Sequence, residues 1–230
     1  MKLKLEYSIL GAALLGMATA NAATIAWTAA LTSPMGGGAL QSSLPTGIFS
    51  TTGTQILAEN LGNPGTGGAV ALAFDGINFT TSNRQFTTGG YDSGLADSGQ
   101  NLITKGIYAT NGNAGTVNLT GLIIGQQYRI QALVYDGRGV TTGRVMRFDT
   151  TDLGRYANGV NGVSWGPGLL ATGTFTADAI TQSFAVQVFD AGYTTHRGAT
   201  LNALVLHAVP EPAAALLGGL GVLSLIRRRR

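Results

Sequence analysis

Short segments in which apolar and polar residues alternate limit the fold of this chain more than any other feature. Apolar side chains occupy every second position at 117–119 and again at 128–134, after a turn at Gly125. A period of two places successive side chains on opposite faces of a strand, whereas a helix needs apolar residues three or four positions apart. Segments with the helical spacing are nearly absent, so we predict β-strands separated by glycine-rich turns.

Further segments of strand type lie on both sides of this pair. They are 24–28, 55–58, 70–74, 77–79, 103–108, 174–176, 183–190 and 199–208. The last has apolar residues on both faces, as a strand buried on both sides does. Glycine-rich connections at 33–47, 62–68 and 154–168 are predicted to be surface loops.

The segment from 23 to 208 is long enough for one domain with a sizeable core. About eight to ten strands in a domain of this size are typical of two packed sheets. We therefore predict an all-β fold, a jelly-roll-like sandwich of two antiparallel sheets. Cysteine is absent, so the fold must be stable without disulfides.

The first 22 residues are typical of a signal peptide. Lys2 and Lys4 form a basic start, and an apolar stretch follows at 9–18. Two small-x-small patterns follow, one ending at Ala20 and one at Ala22, and signal peptidase accepts such a pattern as its cleavage site. We expect this segment to form a helix, to direct export and to be removed.

The C-terminal segment, 209–230, has three parts in a fixed order. They are a motif of Val209, Pro210, Glu211 and Pro212, an apolar segment at 213–226, and a basic end of Arg227, Arg228, Arg229 and Arg230. Prolines interrupt regular structure, an apolar segment partitions into lipid, and clustered arginines stay on the cytoplasmic side. The apolar segment has 14 residues, fewer than the ~20 of a comfortable spanning helix.

This order resembles the PEP-CTERM sorting tail of bacterial surface and matrix proteins. The resemblance implies passage across the inner membrane, transient anchoring there by a short hydrophobic helix, and recognition by an exosortase-type membrane protease near the motif. It implies a final location at the cell surface or in the extracellular matrix. It implies nothing about what the body does, and an ordinary short membrane anchor is the alternative.

Similar tails are also described as the C-terminal element of ice-binding proteins. An ice-binding face needs regularly spaced hydroxyl groups on a flat surface. The threonine pairs stand at irregular intervals, at 51–52, 80–81, 87–88, 141–142, 150–151 and 194–195. The preference of threonine for strands explains them without an ice-binding role.

The basic balance of the chain comes from its two ends. The sequence pI is about 9.4. However, Lys2, Lys4 and the arginines at 227–230 supply six of the 14 basic residues, while Glu6 and Glu211 are the only terminal ones among 11 acidic residues. The body is therefore close to neutral, and we predict no nucleic-acid partner.

One pattern raises the question of catalysis. Ser164 lies in a Gly-x-Ser-x-Gly sequence, which in some hydrolases lifts a nucleophilic serine at a strand-to-helix turn. Asp178, Asp190, His196 and His207 follow in the matching order. The surroundings of Ser164 are typical of a loop, without a buried strand before it or a helix after it. We predict no enzyme activity, and keep an exported serine hydrolase with His196 as base as the second alternative.

Metal and cofactor sites are not predicted. The two histidines, His196 and His207, do not have the spacing of a zinc site. Oxygen ligands for calcium occur in two acidic pairs, Asp92 with Asp97 and Asp149 with Asp152, but neither has the ligand spacing and closing glutamate of an EF-hand loop. We interpret these pairs as solvated loop carboxylates.

Aromatic residues in glycine- and asparagine-rich segments give the strongest case for a ligand. They are Tyr91, Tyr156, Trp165 and Tyr193. Such rings stack on sugars, and binding residues concentrate in loops. The leading prediction is a non-catalytic exported surface or matrix protein, whose processing partners are signal peptidase and the exosortase-type protease. The first alternative is a carbohydrate-binding module with exopolysaccharide as its partner.

Overall fold

The computed structural model of the protein describes residues 23–34, 47–61, 71–82, 84, 86, 90–91, 106–109, 112–134, 144–156, 167–190, 192 and 194–210. Within these ranges the chain forms fifteen β-strands and no helix, which confirms the predicted all-β class. The predicted signal helix and the predicted C-terminal hydrophobic helix both lie outside the described residues.

The strands follow one another with short turns or with segments outside the described ranges between them. They are β1 Ala26–Pro34, β2 Thr54–Asn60, β3 Leu72–Phe74, β4 Ile77–Thr81, β5 Gly90–Tyr91, β6 Gly106–Tyr108, β7 Gly115–Thr120, β8 Gln127–Val134, β9 Arg144–Phe148, β10 Thr151–Tyr156, β11 Pro167–Thr176, β12 Thr181–Phe189, β13 His196–Arg197, β14 Thr200–Leu201 and β15 Ala203–Ala208.

These strands are arranged in three sheets. The largest has seven strands in the order β1-β11-β8-β15-β2-β4-β3. The second has the order β10-β9-β12-β13, with β7 also pairing with β12, and the third is a small sheet of β14, β6 and β5. Strands that are distant in sequence are neighbours, so non-local pairing builds the fold.

The prediction of two purely antiparallel sheets is wrong in two respects. The described residues contain a third, short sheet, and β2 pairs with β4 in parallel, through Glu59 with Thr80 and Asn60 with Thr81. The parallel pair arises because β3 and β4 form a hairpin that turns β4 into the direction of β2. The other strand pairs that the structure records are antiparallel, as expected.

The main core contains side chains from the two larger sheets. The Trp27 ring of β1 meets Phe148 of β9 edge-on, with centroids 4.8 Å apart, and Phe184 of β12 at 5.0 Å. Opposite Trp27 in the strand register lies Gly173 of β11. A Cβ atom at Gly173 would stand 2.8 Å from the indole ring, so the glycine makes room for the tryptophan.

A second cluster covers the other face of the seven-stranded sheet. Phe49 lies 5.4 Å from Phe79 and 6.3 Å from Phe74, and these rings cover Val205 of β15. The Asp75 carboxylate fixes this cover by accepting hydrogen bonds from the backbone N–H groups of residues 47 and 49, at 2.5 and 2.6 Å. Strand β15 is therefore buried on both faces, as its sequence predicts.

Strands β9 and β10 and the first half of β11 were not expected from the sequence. The predicted loop at 154–168 is wrong at both ends, because β10 extends to Tyr156 and β11 begins at Pro167. Charged residues hide the alternation of β9, and glycine and proline give β11 the composition of a loop. Pro167 is tolerated because it is the first residue of its strand, where no ladder hydrogen bond is lost.

Candidate functional site

The last described residues lie beside the start of β8. After β15 ends at Ala208, the N–H of Val209 donates to the Gln127 carbonyl at 2.9 Å. The Gln126 side chain then donates through Nε2 to the Val209 carbonyl at 2.7 Å. Val209, the first residue of the predicted sorting motif, is thus fixed to the body by both its backbone groups.

Two turns lie beside this point and are hydrogen-bonded to each other. The β7–β8 turn spans 121–126 and the β11–β12 turn spans 177–180. Leu122 N–H donates to the Ile180 carbonyl at 3.1 Å, and Gly125 N–H donates to the Ala177 carbonyl at 2.7 Å. We call the surface formed by these two turns and Val209 the exit end.

The first described residues also lie at the exit end. Ala26 of β1 pairs with Thr174, near the end of β11, and Gln182 at the start of β12 donates through Nε2 to the Ala23 carbonyl at 2.9 Å. The segment predicted to be a signal peptide and the predicted sorting tail therefore join the body at the same end.

Large apolar side chains are exposed at the exit end. Ile123 is 68% exposed, Ile124 63% and Ile180 65%. They are three of the four large exposed hydrophobic residues in the part of the chain that the structure describes. The turns that carry them are held firmly, because the Tyr128 hydroxyl, itself in the core, accepts a hydrogen bond from the Ile123 N–H at 2.9 Å.

Apart from Val209, the sequence suggested none of these exit-end residues as functional. Ile123 and Ile124 follow Leu122 in an apolar run between Gly121 and Gly125, and both glycines have positive φ angles of 73° and 85°. An apolar run placed within a turn rather than a strand was the available signal. The position of Gln126 beside Val209 depends on pairing between distant segments, so no local pattern indicated it.

The described residues that were considered for a hydrolase lie in separate elements. Ser164 lies outside the described residues. His196 is in β13 beside Phe189, with ring centroids 4.2 Å apart, and faces the end of β12 opposite to the exit end. His207 is within β15, two residues before Val209, and Asp178 is in the β11–β12 turn.

Asp190 has a structural role in the loop between β12 and β13. Its carboxylate accepts hydrogen bonds from the Thr194 N–H at 2.9 Å, from the Thr194 hydroxyl at 2.9 Å and from the Gly192 N–H at 3.2 Å. The bonds from Thr194 lower the pKa of Asp190 to about 2. The hydrogen bonds of this carboxylate therefore stabilise the loop.

His207 is buried, with 2% of its surface exposed. Burial lowers the pKa of His207 below its ordinary value. The charge of Arg129, which lies opposite His207 on the neighbouring strand β8, lowers this pKa further. Its Nδ1 atom is buried without a hydrogen-bond partner. His207 is accordingly a neutral part of the interior.

The aromatic candidates for a glycan site do not gather in one loop region. Tyr91 belongs to β5 and Tyr156 to β10, in different sheets, so the prediction that both lie in loops is wrong. The glycine-rich surroundings concealed short strands in both cases. Trp165 and Tyr193 lie outside the described residues.

Two shallow depressions occur in the described surface. The larger, about 270 Å³, lies beside Ala23, Asp149 and Gln182, and the smaller, about 200 Å³, lies beside Arg84 and Phe86. Neither is lined by the four candidate aromatic residues, as far as the described residues show.

Of the two acidic pairs considered for calcium, the described one, Asp149 with Asp152, has other partners. Asp149 accepts hydrogen bonds from the Trp27 indole at 3.3 Å and the Ala185 N–H at 2.8 Å, so it is not a solvated loop carboxylate. Asp152 pairs with Arg147 at 2.6 Å. Asp92 and Asp97 lie outside the described residues, and the described part holds no cluster of three or more metal-ligating side chains.

Most residues of the two predicted targeting segments lie outside the described part. They are residues 1–22, which include Ala20 and Ala22, and residues 211–230, which comprise Glu211, Pro212, the apolar segment 213–226, Arg227, Arg228, Arg229 and Arg230. In the ranges that are described, no helix has the length and apolar character needed to cross a membrane. No protein-family model, no curated protein and no solved structure matches this chain, so its function must be inferred from its own residues.

Proposed function

We propose that this protein is a non-catalytic exported protein that a PEP-CTERM-type tail delivers to the cell surface or the extracellular matrix. The observation that carries the proposal is the order of the tail: a Val-Pro-Glu-Pro motif, a 14-residue apolar segment and four arginines. A basic and apolar segment of the signal-peptide type at the other terminus supports it.

The body is the cargo in this proposal. Its two larger sheets form a jelly-roll-like sandwich around the core that contains Trp27, Phe148 and Phe184. Such a body needs no disulfide and remains close to neutral once the terminal segments are removed. It crosses the inner membrane behind the signal peptide, which signal peptidase removes near Ala20 or Ala22.

The tail then holds the precursor in the membrane. The apolar segment enters the lipid and the arginines at 227–230 stay on the cytoplasmic side, so the body faces outward. An exosortase-type protease processes the chain near the motif and releases the body. The bonds from Val209 to Gln126 and Gln127 support cleavage beyond Val209, because a protease binds an extended peptide through backbone groups that are already occupied at this residue.

The motif itself is tested by substitution in the native host. The triple variant Pro210→Ala, Glu211→Gln, Pro212→Ala keeps the apolar and basic parts of the tail. We expect this variant to accumulate in the membrane fraction at full length apart from the signal peptide. Pro64→Ala, a proline change outside the tail, is the matched control and is expected to be processed like the wild type. Normal processing of the triple variant would contradict the proposal.

A further inference from the structure

We infer that the exit end is a lipid-contacting surface, and that Ile123, Ile124 and Ile180 insert into the membrane interface while the tail is anchored. The inference rests on the proposed function, because it requires the apolar segment of the tail to enter the same membrane. It goes further in giving the folded body its own contact with the lipid.

The short distance between the body and the apolar segment is the first argument. Val209 is fixed by two backbone hydrogen bonds, and the apolar segment begins at residue 213. Four residues span at most about 14 Å even when fully extended. The polar region of one leaflet is about 5–8 Å thick. The exit end of an anchored precursor is therefore held no more than about 9 Å from the outer surface of the headgroups, within reach of contact with them.

The chemistry of the exit end is the second argument. Its three isoleucines are each more than 60% exposed and stand on two turns that are hydrogen-bonded to each other. Apolar side chains at the tip of a rigid turn lose contact with water when they enter the boundary between headgroups and acyl chains. Nearby charges are mixed in sign, with Asp178 in one turn and Arg129 in β8. The contact is therefore apolar, and it does not depend on anionic lipid.

The size of the surface favours lipid over a protein partner. Three partly exposed isoleucines present on the order of 300 Å², whereas each partner of a stable protein complex buries ~800 Å². Insertion into a lipid interface has no such requirement, because the tail already supplies the anchoring.

The absence of cysteine from the chain permits a direct test with single labels. Ile124→Cys places an environment-sensitive fluorophore at the exit end. Thr194→Cys places the same fluorophore in the β12–β13 loop, at the opposite end of β12, about 27 Å away for a nine-residue strand. Both full-length variants are reconstituted into phosphatidylcholine vesicles, and the access of a water-soluble quencher to the fluorophore is measured with and without vesicles.

We expect quencher access at position 124 to fall at least about fivefold on vesicles, and access at position 194 to stay within about twofold. Adding Ile123→Ser and Ile180→Ser to the Ile124→Cys chain is expected to restore most of the access. Ile56→Ser in the same chain is the matched control, because Ile56 is the fourth exposed isoleucine and lies within β2 rather than in a turn at the exit end.

The outcomes separate this inference from the proposed function. If the chain associates with vesicles but the label at 124 stays fully accessible, the inference is overturned and the proposed function stands. A label at 124 that is already protected without vesicles means that another segment of the chain covers the isoleucines, which also overturns it. A chain that does not associate with vesicles at all overturns both.

Discussion

Individual residues in the core fix how the two larger sheets face each other. Trp27 lies over Gly173 on the neighbouring strand, contacts Phe148 and Phe184 in the other sheet, and donates to the Asp149 carboxylate. The sequence indicates that Trp27 is in a strand, but only the pairing of β1 with β11 shows why residue 173 is a glycine.

A methyl group at position 173 is expected to destabilise the protein. The Gly173→Ala side chain would stand 2.5 Å from Ile25 Cγ2 and 2.8 Å from the Trp27 ring, so the packed indole must shift. We expect the free energy of unfolding to fall by about 1–3 kcal/mol, measured by urea denaturation. Thr174→Ala, an exposed change in the same strand, is expected to stay within about 0.5 kcal/mol. Equal stability of the two variants would contradict this packing.

His207 makes the stability depend on pH in a defined direction. Because its pKa is lower in the folded protein than in the unfolded chain, the unfolded chain takes up a proton first as the pH falls. The contribution of His207 to the free energy of unfolding is therefore expected to be complete above the ordinary histidine pKa of about 6.5 and to decline below it. Urea denaturation at pH 8, 6.5 and 5 measures this decline.

Substitution assigns this pH dependence to one histidine. His207→Gln removes the titrating group and is expected to flatten the profile of the free energy of unfolding between pH 8 and 5. The lowered pKa of Asp190 changes the stability only near and below its ordinary value of 3.8, which lies outside the range from pH 8 to pH 5. A wild-type protein that is equally stable at pH 8 and pH 5 would contradict the predicted decline. A decline that persists in His207→Gln would show that another group causes it.

Among the elements, the strand and turn at the exit end connect the body to the tail. Gln126 precedes β8 and binds Val209, which follows β15, so one turn holds the first residue of the predicted sorting motif. Gln126→Ala removes the side-chain hydrogen bonds to the Gln127 and Val209 carbonyls, of which the bond to Val209 is worth about 0.5–1.5 kcal/mol. We expect the Val209 amide to exchange with solvent about 2- to 10-fold faster, as measured by hydrogen exchange.

Gln127→Ala serves as the control for this experiment. Gln127 contributes its backbone carbonyl to Val209, and its exposed side chain has no part in that bond. The exchange rate at Val209 is expected to stay close to the wild-type rate in this variant. Similar rates in Gln126→Ala and Gln127→Ala would mean that the Gln126 side chain does not hold the tail junction.

Strands with clear alternation were predictable and others were not. Segments in β7, β8, β12 and β15 were expected because their apolar periodicity reflects burial of one or both faces. In β11, Pro167 and Gly173 indicated a loop rather than a strand. Pro167 fits because it is the first residue of the strand, and Gly173 fits because the Trp27 ring occupies the space beside it. The parallel pairing of β2 with β4 depends on a hairpin folding back, which no local pattern encodes.

At the scale of the whole molecule, the first and last residues that the structure describes lie at the same end of the body, and this arrangement suits a body tethered to a membrane. Ala23 and Val209 both lie at the exit end, beside the exposed isoleucines. The two targeting segments are predictions from the sequence alone, which is possible because targeting signals are local and linear. The sequence could not indicate the proposed lipid-facing surface, because the turns that carry Ile123 and Ile180 become neighbours only after distant strands have paired.

The most direct test of the proposed sorting is the intact mass of the protein from its native host. The protein is recovered separately from membranes, from the cell surface and from the culture medium. We expect the species outside the membrane to begin after Ala20 or Ala22 and to end beyond Val209, without the apolar segment and the arginines. A chain that keeps its terminal arginines and stays wholly in the membrane would contradict the processed sorting tail.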